Sequence, residues 1–258
     1  KIYFLIKNMT KIIGIIQARL GSTRLPKKVM LDLAGRPVLW HIYNRLKKCT
    51  TLDEVVISTG EYINNKEICD FATANNLHLF VGNEKDLIDR LYKTALKYDA
   101  DAIVRITGDC PLVDPNIVDM LVTEFIEKMK QFDIVTNVEK RTFPHGLDVE
   151  VISTKTLKKL WEEINELELR EWFPFFIQKN PDMFKILNIE NNNDYSKLRW
   201  TIDYLEDYEF LQKIYENLFT SQQIFYMQDV IDLLTKNPKL KEINSKYLDH
   251  HNVGAPEI

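Results

Sequence analysis

Short apolar runs alternate with amphipathic stretches along the first half of the chain. Ile12 to Gln17, Glu54 to Thr59, Leu77 to Val81 and Ala102 to Thr107 are compact, rich in β-branched residues and bounded by polar positions, which predicts buried strands. Val38 to Lys48, Lys66 to Asn75 and Asp86 to about Tyr98 place apolar residues on one side of a helical repeat and predict helices between those strands. A further helix starts at Asp114-Pro115, where Asp caps the free N–H groups and Pro occupies the first helical position. Strands taken in turn with helices predict an α/β fold: a mostly parallel central sheet with helices on both faces.

Beyond Phe132 the rhythm changes. Phe132 to Asn137, Leu147 to Ile152, Phe184 to Ile189 and Leu198 to Ile202 read as strands, and Thr156 to Ile164 and Glu168 to Gln178 as helices. Two helices, Leu205 to Leu218 and Ile224 to Leu234, close the pattern. The stretch from about 138 to 190 therefore reads as an arm inserted into a single domain spanning residues 11–258, with residues 1–10 as an extension. Its aromatics, Trp161, Trp172, Phe173, Phe175 and Phe176, are too apolar to stand in water. They predict either a homodimer, in which the arm packs across a partner, or burial within the one chain.

Composition narrows the picture. At 258 residues with a net charge of −4, the chain can bury a sizeable core and is a poor general ligand for nucleic acid, although a local basic cleft can still hold an anion. Cys49, Cys69 and Cys110 form no CxxC pair, which predicts neither a disulfide framework nor a cysteine metal site and fits a cytoplasmic protein. No apolar run is long enough to span a membrane.

The densest chemistry follows the first predicted strand. In Gln17-Ala18-Arg19-Leu20-Gly21-Ser22-Thr23-Arg24-Leu25-Pro26-Lys27-Lys28, Gly21 is expected to let the backbone turn close to a ligand. Ser22 and Thr23 offer hydroxyl donors, and Arg19, Arg24, Lys27 and Lys28 gather positive charge that calls for an anion. The loop has neither the Walker A nor the dinucleotide glycine spacing, so it is either another kind of phosphate loop or a solvated basic turn.

Carboxylates supply the counterpart. Period-two alternation puts Arg105, Thr107 and Asp109 on one face, ending at the carboxyl edge where open α/β sheets bind ligands. Arg199, Thr201 and Asp203 repeat that parity, although Asp203 with Glu206 also makes a plausible helix cap, just as Asp109 could serve a turn. Asp148 and Glu150 share a face after Pro144-His145-Gly146, as a substrate wall or a half-exposed strand would. His250-His251 lacks a carboxylate at metal-binding spacing.

Arg19 to Pro26 with Lys28, then Arg105-Ile106-Thr107-Gly108-Asp109-Cys110-Pro111-Leu112, then Gly146 to Glu150, and finally Arg199 to Asp203 resemble, in order, the cytidylyltransferases. The branch is the one named for spore coat polysaccharide biosynthesis, related to the acylneuraminate and keto-deoxyoctulosonate cytidylyltransferases. The resemblance implies a glycosyltransferase-A-type nucleotide-diphospho-sugar transferase fold, CTP as donor, Mg²⁺ as cofactor and an acidic or phosphorylated acceptor. It implies nucleotide contacts at Gln17, Ala18, Arg19, Gly21, Ser22, Arg24, Lys28, Arg105 and Gly108, and metal ligation by Asp109 and Asp203. Arg19 and Lys28 join those two acids as catalytic residues, and His145, Asp148, Glu150, Arg170 and Arg199 become acceptor contacts. The chain departs from the family where Lys27 replaces a usual Gly, where Trp172 follows Arg170-Glu171 in place of His, and where His145 replaces a common Arg. A glycosyltransferase of the same fold is the competing enzyme, disfavoured because Cys110-Pro111 follows Asp109 where an Asp-x-Asp would stand. A nucleotide-binding subunit without catalysis is the third reading.

Overall fold

The computed structural model describes residue 7 and residues 9–249. Its central sheet has seven strands, β1 (Ile12–Gln17), β4 (Glu54–Thr59), β5 (His78–Val81), β6 (Ala102–Thr107), β7 (Ile134–Thr136), β8 (Glu150–Ser153) and β9 (Ile186–Asn188), while β2 (Asp32–Leu33) and β3 (Arg36–Pro37) form a small separate hairpin. The order across the large sheet is β5-β4-β1-β6-β8-β7-β9. Only β8 runs antiparallel to its neighbours in the large sheet, so the mostly parallel architecture expected from the alternation holds.

Side-chain alternation splits the core into two layers. Ile12 and Ile16 of β1, with Val104 and Ile106 of β6, pack against the helices α1 (Val38–Leu46), α2 (Tyr62–Ala74), α4 (Pro115–Lys128), α8 (Leu205–Leu218) and α9 (Met227–Lys236). Ile13, Ile15 and Ile103 face the other way, onto α3 (Leu87–Lys97), α5 (Thr154–Glu163) and α7 (Phe173–Lys179). Asp114 caps α4 as expected, its carboxylate accepting the Asn116 N–H at 2.9 Å.

The stretch from 138 to 190, read as an inserted arm, packs into the domain: Leu157, Leu160, Phe173 and Ile177 belong to the second core layer and β9 joins the sheet beside β7. Two expectations are corrected. The helix expected over Glu168 to Gln178 is broken into α6 (Leu167–Glu171) and α7, because Trp172 adopts φ −111°, ψ 39° ahead of Pro174, which has no N–H to carry the ladder on. Leu198 to Ile202 is not a strand. It is an extended segment joined to the loop before β8 by a single bridge, with the Trp200 N–H donating to the His145 carbonyl at 2.6 Å. His250-His251 lies outside the described residues.

Candidate active site

Four segments converge at the carboxyl edge of β1 and β6. The loop after β1 begins where the Ala18 N–H donates to the Ser58 carbonyl at 3.1 Å, and Asn65 of α2 anchors it by accepting the Leu20 N–H at 3.0 Å. Gly108 seals the neighbouring turn: its N–H donates to the Gln17 carbonyl at 2.8 Å, and a Cβ there would come within 2.9 Å of that same oxygen. The extended segment before α8 is then clipped beside Asp109, whose carbonyl accepts the Ile202 N–H at 2.9 Å and the Thr201 hydroxyl at 3.3 Å. Asp203 is thereby delivered next to Asp109 without being the end of a strand.

One ammonium holds the two acids together. Lys28 Nζ lies 2.5 Å from Asp109 Oδ2 and 2.9 Å from Asp203 Oδ1, while Arg24 Nη2 donates to Asp203 Oδ1 at 2.7 Å. Burial works against the Lys28 charge, but the two carboxylates outweigh it and raise its pKa above the ordinary lysine value. Asp203 shows the reverse balance: burial disfavours its charge, and Lys28 and Arg24 hold it well below the usual carboxylate range. Asp203 does not cap α8. That role falls to Asp207, which accepts the backbone N–H groups of Asp203 and Tyr204 at 2.9 and 3.0 Å, and Glu206 instead pairs with Lys246 at 2.5 Å.

The convergence leaves a two-part cleft. A cavity of about 290 Å³ is lined by Gln17, Ala18, Arg19, Gly21, Ser22, Arg24, Lys28, Gly108, Asp109 and Asp203. A larger one of about 680 Å³ adjoins it, shares Gln17, Arg24, Asp109, Trp172 and Asp203, and is walled by Arg105, Arg141, His145, Asp148 and Glu150. Cross-strand register explains part of that wall: Arg105 of β6 stands opposite Glu150 of β8, pairs with it, and donates through Nε to Gln17 Oε1 at 2.7 Å. Arg105 therefore orients Gln17 from the larger cavity. Asp148 is held by Arg141 through both guanidinium nitrogens, one at 3.0 Å. Burial pushes its pKa up, but Arg141 and His145 prevail and bring it down to about 2.

Two expected acceptor contacts lie elsewhere. Arg170 turns its guanidinium to Asp86 at 2.7 Å and to the carbonyls of Trp161 and Ile164 at 2.8 and 2.7 Å, so it ties α6 to the start of α3 and the end of α5. Arg199 is buried against Asp207 at 2.9 Å, Asp203 at 2.9 Å and His145 Nδ1 at 3.2 Å, so it braces the site from behind. Gly21 has no left-handed backbone and open space where a Cβ would stand, so the sharp turn is not its doing. Lys27, at φ 56° and ψ 25°, carries the left-handed conformation in that loop.

Sequence reasoning missed Arg90, Arg141, Glu171, Phe175 and Asp249 as cleft residues. Arg141 and Asp249 sit in irregular chain, and Arg90 lies on a helix whose apolar face gave no reason to single it out. Among the described residues no group of three or more His, Cys, Asp or Glu side chains is arranged as a metal site, and no helix is long and apolar enough to cross a membrane.

Comparison with known proteins adds independent findings. A family model described as cytidylyltransferase matches residues 13–244. The chain is 37% identical over 241 residues to the uncharacterised protein MJ1063 of Methanocaldococcus jannaschii, spanning 91% of this chain and 95% of that one. It is 28% identical over 242 residues to the spore coat polysaccharide biosynthesis protein SpsF of Bacillus subtilis, spanning 89% and 96%. A solved cytidylyltransferase from Leptospira borgpetersenii superposes with a TM-score of 0.85 at 35% identity, covering 90% of this chain and 97% of the other.

Proposed function

This chain belongs to the cytidylyltransferase family and is a CTP-dependent nucleotidyltransferase, and from that premise we propose that it transfers CMP to a sugar acid, a phosphorylated sugar or polyol, or a similar acceptor used in surface polysaccharide or glycoconjugate synthesis. An acceptor oxygen attacks the α-phosphorus and forms the new P–O bond, the bond to the β-phosphate oxygen breaks, and pyrophosphate leaves. The observation that carries this reading is Lys28 held between Asp109 and Asp203, with Arg24 on the same acid, at the junction of two cavities.

Asp109 and Asp203 offer hard anionic oxygens already gathered around one cation, the donor type that suits a divalent ion, so they fit Mg²⁺. Bound there, Mg²⁺ supplies charge neutralisation on the phosphate oxygens. Arg24 and Lys28, now paired with carboxylates, turn to the β- and γ-phosphates when the nucleotide enters, and Arg19 joins them. Gln17, Ala18, Gly21, Ser22 and Gly108 shape the nucleotide cavity. His145, Asp148 and Glu150, with Arg141, face the acceptor. The work is positioning and electrostatic stabilisation, with no covalent intermediate on the protein.

Pyrophosphate release tests this reading, scored with CTP, ATP, GTP and UTP against a panel of sugar acids and phosphorylated sugars and polyols. Release with CTP well above the other three is the expected result, and equal use of all four removes the cytidine assignment. A homodimer is part of the proposal and rests on the family resemblance, since of the aromatics that argued for one Phe173 is buried in the chain's own core with Phe176 packed against it, Trp172 and Phe175 line the cleft, and Trp161 alone of the five is exposed, at 38%. A monomeric mass by light scattering at micromolar concentration removes it.

A further inference from the structure

One ion pair ties the nucleotide loop to the wall of the acceptor cavity. Arg19 donates through Nη2 to Glu171 Oε1, across 152 positions of sequence, and through Nη1 to the Glu84 carbonyl at 2.6 Å. Glu171 is the last residue of α6 and lines the larger cavity. The next residue, Trp172, is the non-helical joint between α6 and α7 and lines both cavities, with Phe175 packed edge-on against it at 6.1 Å.

The pair is incompletely satisfied. Glu171 Oε2 and Arg90 Nε are both buried without a hydrogen-bond partner among the described residues, and such groups cost stability until a ligand supplies one. Arg90 lines the smaller cavity beside Arg19, and burial together with the Arg19 charge brings its pKa down to about 10. Arg19 has the Glu171 carboxylate, whereas Arg90 beside it donates to the backbone carbonyls of Asn83 at 2.7 Å and Glu84 at 3.4 Å, so the position suits an anion carrying more charge and more oxygens than Glu171 offers.

We propose that Glu171 is the positioning residue through which the nucleotide governs the acceptor cavity: its carboxylate holds Arg19, and an incoming phosphate group displaces it and moves Trp172 in the partition between the two cavities. The inference rests on the reading of Arg19 as a triphosphate contact. The carboxylate competes with the nucleotide, so removing its charge strengthens nucleotide binding, whereas a purely structural glutamate would weaken binding when replaced.

The test is isothermal titration calorimetry of CTP and of inorganic pyrophosphate with Mg²⁺, on the wild type and on Glu171→Gln, alongside thermal melting. The variant is expected to bind both about fivefold or more tightly, the low end of ordinary coupling between sites. Unchanged or weaker binding by a folded variant overturns the inference. Tryptophan emission is the second readout, informative even if Glu171→Gln does not fold. CTP is expected to change the wild-type spectrum and to leave Trp172→Phe nearly unchanged, and an equal change in both overturns the proposal. A wild type that binds neither CTP nor pyrophosphate brings down the functional reading and this inference together, while normal CTP binding without a gain in Glu171→Gln removes this inference alone.

Discussion

Asp203 gathers more charge than any other side chain in the cleft: Lys28 and Arg24 meet one of its oxygens and Arg199 the other. Because Asp207 does the capping, Asp203→Asn leaves the start of α8 intact and removes only the charge. Turnover is expected to fall about a hundredfold, the size of losing one preorganised electrostatic group, with CD spectrum and cooperative melting retained. Near-normal turnover at ordinary Mg²⁺ concentration would sink the metal role. Lys27 presents the opposite case, a residue whose backbone is at odds with its chemistry. A non-glycine residue in the left-handed region carries a strain of about 1–2 kcal/mol, and the Lys27–Glu67 pair is too exposed to offset it. Lys27→Gly is therefore expected to raise stability by up to about 1 kcal/mol in urea unfolding, after the added flexibility of the unfolded chain is allowed for. A loss of stability would show that the lysine side chain matters more than the strain. The φ of 56° gives a physical reason for the glycine that the resemblance leads one to expect at this position, a requirement the sequence shows only as a departure.

Elements explain what could be read in advance and what could not. β1, β4 and β6 were legible to the residue because fully buried parallel strands are continuous apolar runs, and their ends placed Gln17 and Asp109 correctly. Arg199 to Asp203 misled because alternation reports which side chains are buried, not which backbone they pair with. Trp200 and Ile202 are buried as a strand would have them, but so are Arg199 and Thr201, and partners from the turn after β6, from α8 and from the Pro144–Gly146 loop satisfy the segment. Arg170 misled for a related reason: a charged residue in a helical stretch reads as available to a ligand, whereas this one is buried against Asp86 and the carbonyls at the end of α5. The close approach at Gly146 makes this arrangement testable. Gly146 has φ 108°, and a Cβ there would stand 2.6 Å from the Trp200 carbonyl carbon and 2.7 Å from the Thr201 nitrogen. Gly146→Ala is expected to destabilise by roughly 2 kcal/mol or more, through strain and loss of the His145 bridge, and to weaken activity through displaced Asp203 and Asp148. Wild-type stability in that variant would mean that the two segments are free to part.

At the scale of the whole molecule, His41 makes folding sensitive to pH. It lies on α1 at 2% exposure, donates to the Leu33 carbonyl of the β2–β3 hairpin at 2.5 Å, and meets Tyr215 and Phe219 edge-on, so hairpin, α1 and the end of α8 meet at one imidazole. Burial, with the nearby Arg45 and Arg36 charges adding to it and the Leu33 bond and Asp32 opposing it, lowers its pKa to about 4. A base whose folded pKa lies below its unfolded value of about 6.5 binds more protons when unfolded, so stability is full above that value and falls with pH between about 6.5 and 4. At 1.36 kcal/mol per unit, the drop from pH 7 to about pH 4.5 is roughly 2 kcal/mol. Asp148 and Asp203 do not confuse this window, since both are already ionised there and their contributions are lost only below about pH 4. Glu206, held below the ordinary glutamate value by its bond to Lys246, is common to wild type and His41→Phe and cancels in their difference. Urea unfolding at the two pH values is expected to show the drop in the wild type and most of it removed in His41→Phe, which keeps the aromatic packing and starts about 1 kcal/mol less stable at pH 7 for want of the bond to Leu33. A wild type whose midpoint is flat from pH 6.5 to 4.5 would mean that the imidazole takes up its proton without leaving the core.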